Sequence, residues 1–454
     1  MKNVFKMGRW HLPSLKNGVM ISGLLCLALT FMGQSAYAAA AKAAPELGAE
    51  DKACQKCHDS DDIKAKLTEA GETLSMRIST KAFLESMHSE NSCSDCHEDA
   101  DGKDHGKVSE SMKSKRDYRL SFQNACTTCH KKNMADFKES VHAMMVKEGS
   151  DKAPTCSDCH NSHTLHSVKL VEPIANVPCA NCHKEIFKAY SDDVHGLERI
   201  AKGKAAPLCA DCHKAHAIQA AALGDGIRDA CLNCHKDAAV KHDVWLPNSK
   251  LHFQAVECQV CHAPDAQRRV NLRMVDSVGG KQLLEKKGVP QFDRLAKAAD
   301  GTNVGLDDKE LRSFLKAFNL ENADNKAILS GRLEVRSGLQ AHQLSAKDKA
   351  LSDCKVCHQP GAVPFSSVVL TMAGPDGRAL RHGVEKEVLT SATSLDSMRG
   401  FYAIGSTRIK LLDYLLVLVI LGVLCVPVAH MSAHRLFKAK RDKLLAERQQ
   451  ASKQ

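Results

Sequence analysis

Nine times the chain carries two cysteines separated by two residues and followed at once by a histidine. The units are Cys54/Cys57/His58, Cys93/Cys96/His97, Cys126/Cys129/His130, Cys156/Cys159/His160, Cys179/Cys182/His183, Cys209/Cys212/His213, Cys231/Cys234/His235, Cys258/Cys261/His262 and Cys354/Cys357/His358. Two thiols at that spacing can add to the two vinyl groups of one haem as thioethers. The histidine that follows then lies under the iron as its proximal ligand. A zinc-ribbon array needs no histidine directly after every second cysteine, and a disulfide framework does not pair its cysteines so regularly. The spacing therefore predicts nine covalently bound haem c groups, with these eighteen cysteines as attachment points and these nine histidines as iron ligands.

A second set of histidines recurs at fixed places between the motifs. Cys126 to Cys179 and Cys156 to Cys209 are both 53 residues, and Cys179 to Cys231 is 52, so the repeated unit is near 50 residues and carries two motifs. His142 and His195 each stand 12 residues after one proximal histidine and 14 before the next motif. His88 and His252 have similar surroundings, in Ser86-Met87-His88 and Ser249-Lys250-Leu251-His252. His163 and His216 stand three residues beyond a proximal histidine, too close to reach the other face of the same haem, so each is expected to cap a neighbour's. His105, His242 and His342 complete the expected distal set, while His166 and His382 read as surface residues. With them the pool of candidates is eleven for nine irons, which predicts two imidazoles on each iron, no open position, and low-potential electron carriage rather than catalysis.

Composition agrees that side chains alone do not fill this interior. Of 454 residues only 4% are aromatic, with 2 Trp and 5 Tyr, against 20 Cys and 23 His. Nine macrocycles supply the missing flat apolar area. With 43% apolar residues and mixed charge the chain is not a disordered one. The formal charge of +10 is spread along it, which argues against a nucleic-acid partner. Two propionates on each haem bring the exported part to neutral or acidic.

The ends of the chain predict export and anchoring. Lys2, Lys6, Arg9 and Lys16 precede an apolar run from Gly18 to Met32 and a small-x-small site at Ala36-Tyr37-Ala38, so residues 1–38 read as a signal peptide. Cys26 leaves with it. Tyr414 to Met431 is 18 residues long and apolar, so 411–431 reads as a transmembrane helix. Residues 432–454 are rich in Lys and Arg, which places the C-terminus in the cytoplasm and the motifs in the periplasm of a bacterial inner membrane. His430 and His434 stand at i, i+4 on the span, a spacing that more often carries no ligand role.

The expected fold is mainly α with little regular structure, organised around nine c-type haems. Residues 39–262 form an eight-motif periplasmic domain, and 263–410 a small α+β appendage carrying the ninth motif. Within the appendage Arg268 to Val275 alternates as a strand. Asp307 to Phe318 is expected as a helix capped by Asp307, with Leu311, Phe314, Leu315 and Phe318 on one face. Phe365 to Met372 and Arg378 to Val388 flank Gly374-Pro375-Asp376-Gly377 as a hairpin.

At the motifs and the paired repeat the chain resembles the multihaem c-type cytochromes of bacterial respiratory chains. Ser-Val-His followed by Cys-Ser-Asp-Cys-His-Asn-Ser-His over 140–163, repeated at 194–216, is similar to membrane-tethered periplasmic cytochromes found beside quinol-oxidising membrane cytochromes. The resemblance implies stacked bis-histidine haems and electrons moving between the quinone pool and periplasmic carriers. It also implies an integral membrane quinol-oxidising subunit of the b-type cytochrome kind as partner, and periplasmic cytochromes or other redox proteins as exchange partners. The alternative it raises is an octahaem-type reductase or oxidoreductase of nitrite, hydroxylamine or tetrathionate, which depends on one open haem.

Overall fold

The structure, a computed structural model, describes residues 45–98, 100, 112–166, 174–203, 206–220, 223–324, 326–391, 398–399 and 410–453. The expected signal peptide, Cys26 and His105 lie outside them. About half of the described residues are helical, with a small sheet and one long apolar C-terminal helix.

Up to residue 255 the elements are short helices strung between motifs, with one small antiparallel pair of strands, Lys66–Leu67 and Thr73–Leu74. Those used below are α1 (Val141–Lys147), α2 (Lys184–Ser191), α3 (Val194–Lys202), α4 (Gly226–Cys234), α5 (Ala238–Asp243) and α6 (Ser249–Ala255). None reaches the ~12–15 residues at which a helix is marginally stable alone, so tertiary packing must hold them. Few apolar side chains in this stretch are buried; Phe83, Val177, Ala189 and Tyr190 are among them.

The ordinary hydrophobic core lies almost wholly beyond residue 260. A five-stranded sheet is built from β1 (Arg268–Asp276), β2 (Ala327–Val335), β3 (Val368–Ala373), β4 (Ala379–Val384) and β5 (Met398–Arg399). The strand order is β4-β3-β1-β2-β5, with β1 antiparallel to β2 and parallel to β3. Val270, Leu272 and Met274 of β1 share one buried apolar cluster with Phe292 of α7 (Gln291–Ala299) and with Leu311, Phe314 and Leu315 of α8 (Asp308–Glu321). The expected helix is therefore present and runs three residues further. Asp307 caps it by accepting from the Lys309 and Glu310 amides, and Glu310 accepts in return from the Asp307 amide. Both hairpin strands are present as β3 and β4, each shorter than expected. Strand β2 and helix α7 had no counterpart in the sequence reading.

The other face of the sheet is polar and docks on the motif-bearing part. Arg269 Nε donates to Glu334 Oε1 at 2.7 Å, and Asn271 Nδ2 donates to Glu334 Oε2 at 2.9 Å. Arg273 donates to the Gly224 carbonyl at 2.8 Å, and Arg332 pairs with Asp225, which precedes α4. The hairpin turn meets α1: Gly377 has φ +72°, and a side chain there would lie 2.6 Å from Met144 Sδ. Lys287 reaches Glu148, just past α1, at 3.4 Å. The Val194 amide at the head of α3 donates to the Leu344 carbonyl at 3.0 Å. The appendage thus packs along several helices of the motif-bearing part.

Glu257 sits in this junction, with Arg332 Nε at 3.7 Å. Burial, and the nearby Glu334 carboxylate, push its carboxyl up from 4.5 to about 7, against the opposing pull of Arg332 and Arg273. The folded state therefore holds this proton more tightly than the unfolded chain. Its contribution to stability is complete below about pH 4.5 and is lost as pH rises through 7. Glu257→Gln is expected to flatten the fall in stability between those pH values. It should also stabilise the protein at pH 8 by on the order of 1–3 kcal/mol. Denaturant unfolding at pH 5 and pH 8 checks this; an unchanged pH slope would contradict it.

Candidate haem sites

Each motif forms a single helical turn or short helix, such as Cys156–Cys159 and Cys209–His213, which turns both thiols toward one side. Three motifs carry an aspartate just before the second cysteine, and it closes the turn. The amides of Ser92, Thr155 and Leu208 donate to Asp95, Asp158 and Asp211 at 2.9, 2.7 and 2.7 Å. These aspartates went unremarked in the sequence reading, although their recurrence at one place in the second, fourth and sixth motifs was visible.

Two of the expected distal histidines, His142 and His195, open their own helices. The residue two before the histidine is a buried N-cap: the Ala143 amide donates to Ser140 Oγ at 3.1 Å, and the His195 and Gly196 amides donate to Asp193 Oδ1 at 2.7 and 2.8 Å. The His88 amide likewise donates to Ser86 Oγ at 3.2 Å. The cap fixes the first turn, and with it the direction of the imidazole. Asp193 does this at some electrostatic cost, since burial raises its carboxyl to about 6 against the pull of those amides.

Eight of the nine proximal histidines each face one imidazole from the expected distal set. The ring-centre separations are 6.1 Å for His97 with His163, 6.1 Å for His130 with His88, 5.9 Å for His160 with His216 and 6.4 Å for His183 with His142. They are 5.9 Å for His213 with His342, 6.2 Å for His235 with His195, 6.3 Å for His262 with His242 and 5.9 Å for His358 with His252. The ninth, His58, donates from Nδ1 to the Met76 carbonyl at 2.7 Å, and His105 lies outside the described residues.

These separations fit a metal between the rings. A metal–nitrogen bond of about 2 Å plus about 1.1 Å from nitrogen to ring centre, taken twice, gives about 6 Å. Direct stacking would bring the rings closer than that. The remaining nitrogens agree. His242, His252 and His342 donate from Nδ1 to the carbonyls of Ala238, Asn248 and Gly338 at 2.7, 3.2 and 2.7 Å. A carbonyl only accepts, so the proton is on Nδ1 and the Nε2 lone pair is available to a metal. Burial lowers the pKa of His142, His160, His163, His195, His213 and His262, with the facing imidazole adding repulsion, which keeps the ligating neutral form.

A single connected cavity of about 5960 Å³ runs past all nine motifs and all eight facing pairs. That is roughly 660 Å³ per motif, inside the ~300–1,000 Å³ of cofactor sites. Among the described residues no group of three or more Cys, His, Asp or Glu is arranged to hold a bare metal ion, so the histidine pairs fit an iron that brings its own equatorial ligands. His382 instead pairs with Asp300 at 2.9 Å, away from the motifs, and His166 lines the cavity.

One expected attachment residue departs from this arrangement. Cys57 does not line the cavity, whereas Cys54 and His58 of the same motif and both cysteines of every other motif do. Cys57 is exposed in the last turn of the helix Ala49–His58. The reading of Cys57 as the second thioether position rests on the motif spacing alone.

The motifs also touch in order. Side chains of first cysteines meet in pairs, Cys54 with Cys93, Cys126 with Cys156, Cys179 with Cys209 and Cys231 with Cys258. Between those pairs, Cys96 lies near Cys126, Cys159 near Cys179, Cys212 near Cys234 and Cys261 near Cys357. The result is one unbroken file from the first motif to the ninth.

The family described as doubled CXXCH motif matches residues 199–240, which hold the sixth and seventh motifs. No curated protein and no solved structure matches the chain. The family match supports a multihaem c-type cytochrome, with covalently bound c-type haem and haem-based electron transfer.

Proposed function

We propose that the chain carries electrons along nine bis-histidine haem c groups on the periplasmic side of a bacterial inner membrane, linking the quinone pool to periplasmic carriers. The eight facing histidine pairs carry this reading most directly. Haem c, when bound, supplies a one-electron ferric/ferrous couple. The eighteen motif cysteines hold it covalently. The proximal and distal histidines would together hold the iron and would leave substrate no position to enter, and their neutral imidazoles would favour low potential. The file of touching motifs keeps neighbouring cofactors close.

In this reading Lys410–Ala451, one continuous helix with an exposed apolar stretch from Tyr414, tethers the domain. Its basic end, including Arg435, Lys438 and Lys440, stays in the cytoplasm. A single span offers little with which to oxidise a quinol, so the proposal includes an integral membrane partner that delivers electrons to the ninth motif.

Intact mass after acid extraction, with electron paramagnetic resonance of the oxidised protein, tests the reading. Nine haem increments and a wholly low-spin spectrum are expected. Fewer than eight increments would end it. A high-spin component with turnover of nitrite, hydroxylamine or tetrathionate would establish the reductase alternative instead.

A further inference from the structure

The eight facing histidine pairs differ in how their ring planes meet. The planes are near parallel on four motifs: 5° apart on the second, 27° on the fourth, 26° on the fifth and 25° on the sixth. They are crossed on the other four: 57° on the third, 53° on the seventh, 65° on the eighth and 66° on the ninth. No pair falls between 27° and 53°, so these are two groups rather than a spread. The seventh, eighth and ninth motifs are consecutive. The crossed group therefore holds one whole end of the file, and the near-parallel group holds its middle.

Ring planes matter to the iron they share. An axial imidazole raises the iron d orbital that lies across its own plane. Two parallel rings raise the same orbital and split it from its partner. Two crossed rings raise one each and leave the two nearly equal. The split stabilises ferric iron, whose single hole sits in the upper orbital. Near-parallel rings therefore lower the reduction potential, and crossed rings raise it. Groups that orient an axial ligand are thus one of a protein's levers on a haem.

The crossing at the ninth motif has a local cause. His252 lies in α6, and its Nδ1 donates to the Asn248 carbonyl at 3.2 Å. The same carbonyl accepts from the Leu251 and His252 amides at 2.9 and 3.2 Å. Asn248 stands just before the helix with φ +54°. Asparagine tolerates this left-handed conformation, and a β-branched residue does not. The turn aims the carbonyl along α6 and so ties the His252 ring to that helix. His242 is tied in the same way to the Ala238 carbonyl, at 2.7 Å in α5.

We propose that the ring planes sort the haems into two electronic classes, crossed on the third, seventh, eighth and ninth motifs and near parallel on the second, fourth, fifth and sixth, and that Asn248 is the positioning residue for the crossing at the ninth. The inference rests on the bis-histidine reading above. It gives the ninth motif, where that reading brings electrons in, a higher-potential haem continuous with two more of its kind.

Paramagnetic resonance of the oxidised, haem-loaded full chain tests this. Crossed rings give a strongly anisotropic low-spin signal with a large maximum g value, and near-parallel rings give an ordinary rhombic one. At least four irons are expected in each class, the first motif adding one to either. Asn248→Val should take one iron out of the anisotropic class while every haem increment stays in the mass. Asn248→Gly, which accepts the same backbone turn, should keep that iron in its class. Asn303→Val puts the same strain at a left-handed residue that does not line the cavity, and should change nothing. A wholly low-spin parent spectrum of one class overturns the inference and leaves bis-histidine ligation intact. An Asn248→Val spectrum identical to the parent's overturns it too. A high-spin signal in the parent fails the bis-histidine reading instead, and the inference with it.

Discussion

Replacing His342 with alanine is expected to turn one iron in nine high-spin. His342 comes from the appendage, yet it faces His213 of the sixth motif at 5.9 Å, with the two ring planes 25° apart. Its Nδ1 proton is held by the Gly338 carbonyl, which leaves Nε2 as the only ring nitrogen free to ligate. Among the described residues no other imidazole faces His213. The variant should keep all nine covalent attachments, because His342 belongs to no motif. Mass should therefore be unaltered except for the substitution itself, while paramagnetic resonance gains a high-spin signal absent from the parent. His382→Ala, which breaks a pair with Asp300 remote from the motifs, should leave the spectrum alone. A His342→Ala protein that stays wholly low-spin would show that the pairing is wrong.

Gly196→Ala should be the most damaging single methyl group in the repeat. A Cβ at this position would lie 1.9 Å from the Tyr190 carbonyl oxygen and 2.7 Å from Ser191 Cα. Both are backbone atoms at the end of α2, so no side chain can swing aside. The two helices must separate or α3 must shift, at a cost of about 3 kcal/mol or more. His195 is the adjacent residue, so the shift should also pull its ring from His235, 6.2 Å away. A lowered Tm together with a new high-spin signal is the expected result. Gly226→Ala makes the control, since a Cβ there meets nothing within 4 Å. Equal behaviour of the two variants would refute the close approach. The matching place after His142 in the preceding repeat already holds Ala143, so the requirement belongs to the α2–α3 corner and not to the repeat as such.

The proximal half of the sites was legible in the sequence because covalent attachment leaves little freedom: the thioether chemistry demands the cysteines two apart and the histidine next. Spacing says nothing of surroundings, however, and so could not tell that Cys57 lies outside the shared cavity while its motif partners line it. The pool of distal histidines was legible for a weaker reason, recurrence at one spacing. Which of them faces which motif was not, because that is decided by packing between residues far apart in the chain. His163 follows the fourth motif yet faces the second, and His216 follows the sixth yet faces the fourth. The eight-motif stretch shows little else to a periodicity search, since its interior is lined for a cofactor and its helices are too short to carry a clear stripe.

The appendage was read in part, for ordinary reasons. Helix α8 has a cap, a box and four large apolar residues on one face, so propensity and packing agree. Strand β2 hides because Arg332 and Glu334 interrupt its apolar run. The neighbouring-strand residues Arg269 and Asn271, with Asp225 and Glu257 from the motif-bearing part, explain why those charges can be buried. Helix α7 follows Pro290, which reads as a break, and its core residues Phe292, Leu295 and Ala296 are too few to declare a stripe.

The direction in which each motif finds its facing histidine also orders the making of the protein. The third, fifth, seventh, eighth and ninth motifs look upstream, to His88, His142, His195, His242 and His252. The second, fourth and sixth look downstream, to His163, His216 and His342. Under the proposed export from the N-terminus, the first group would have a ligand already outside. The second group would wait, and the sixth motif longest, through the emergence of two further motifs and of strands β1 and β2. Until His342 crossed the membrane, a nascent chain loaded with haem at the sixth motif would carry an unfinished, reactive centre. The length of the stretch between His213 and His342 would set how long that exposure lasts.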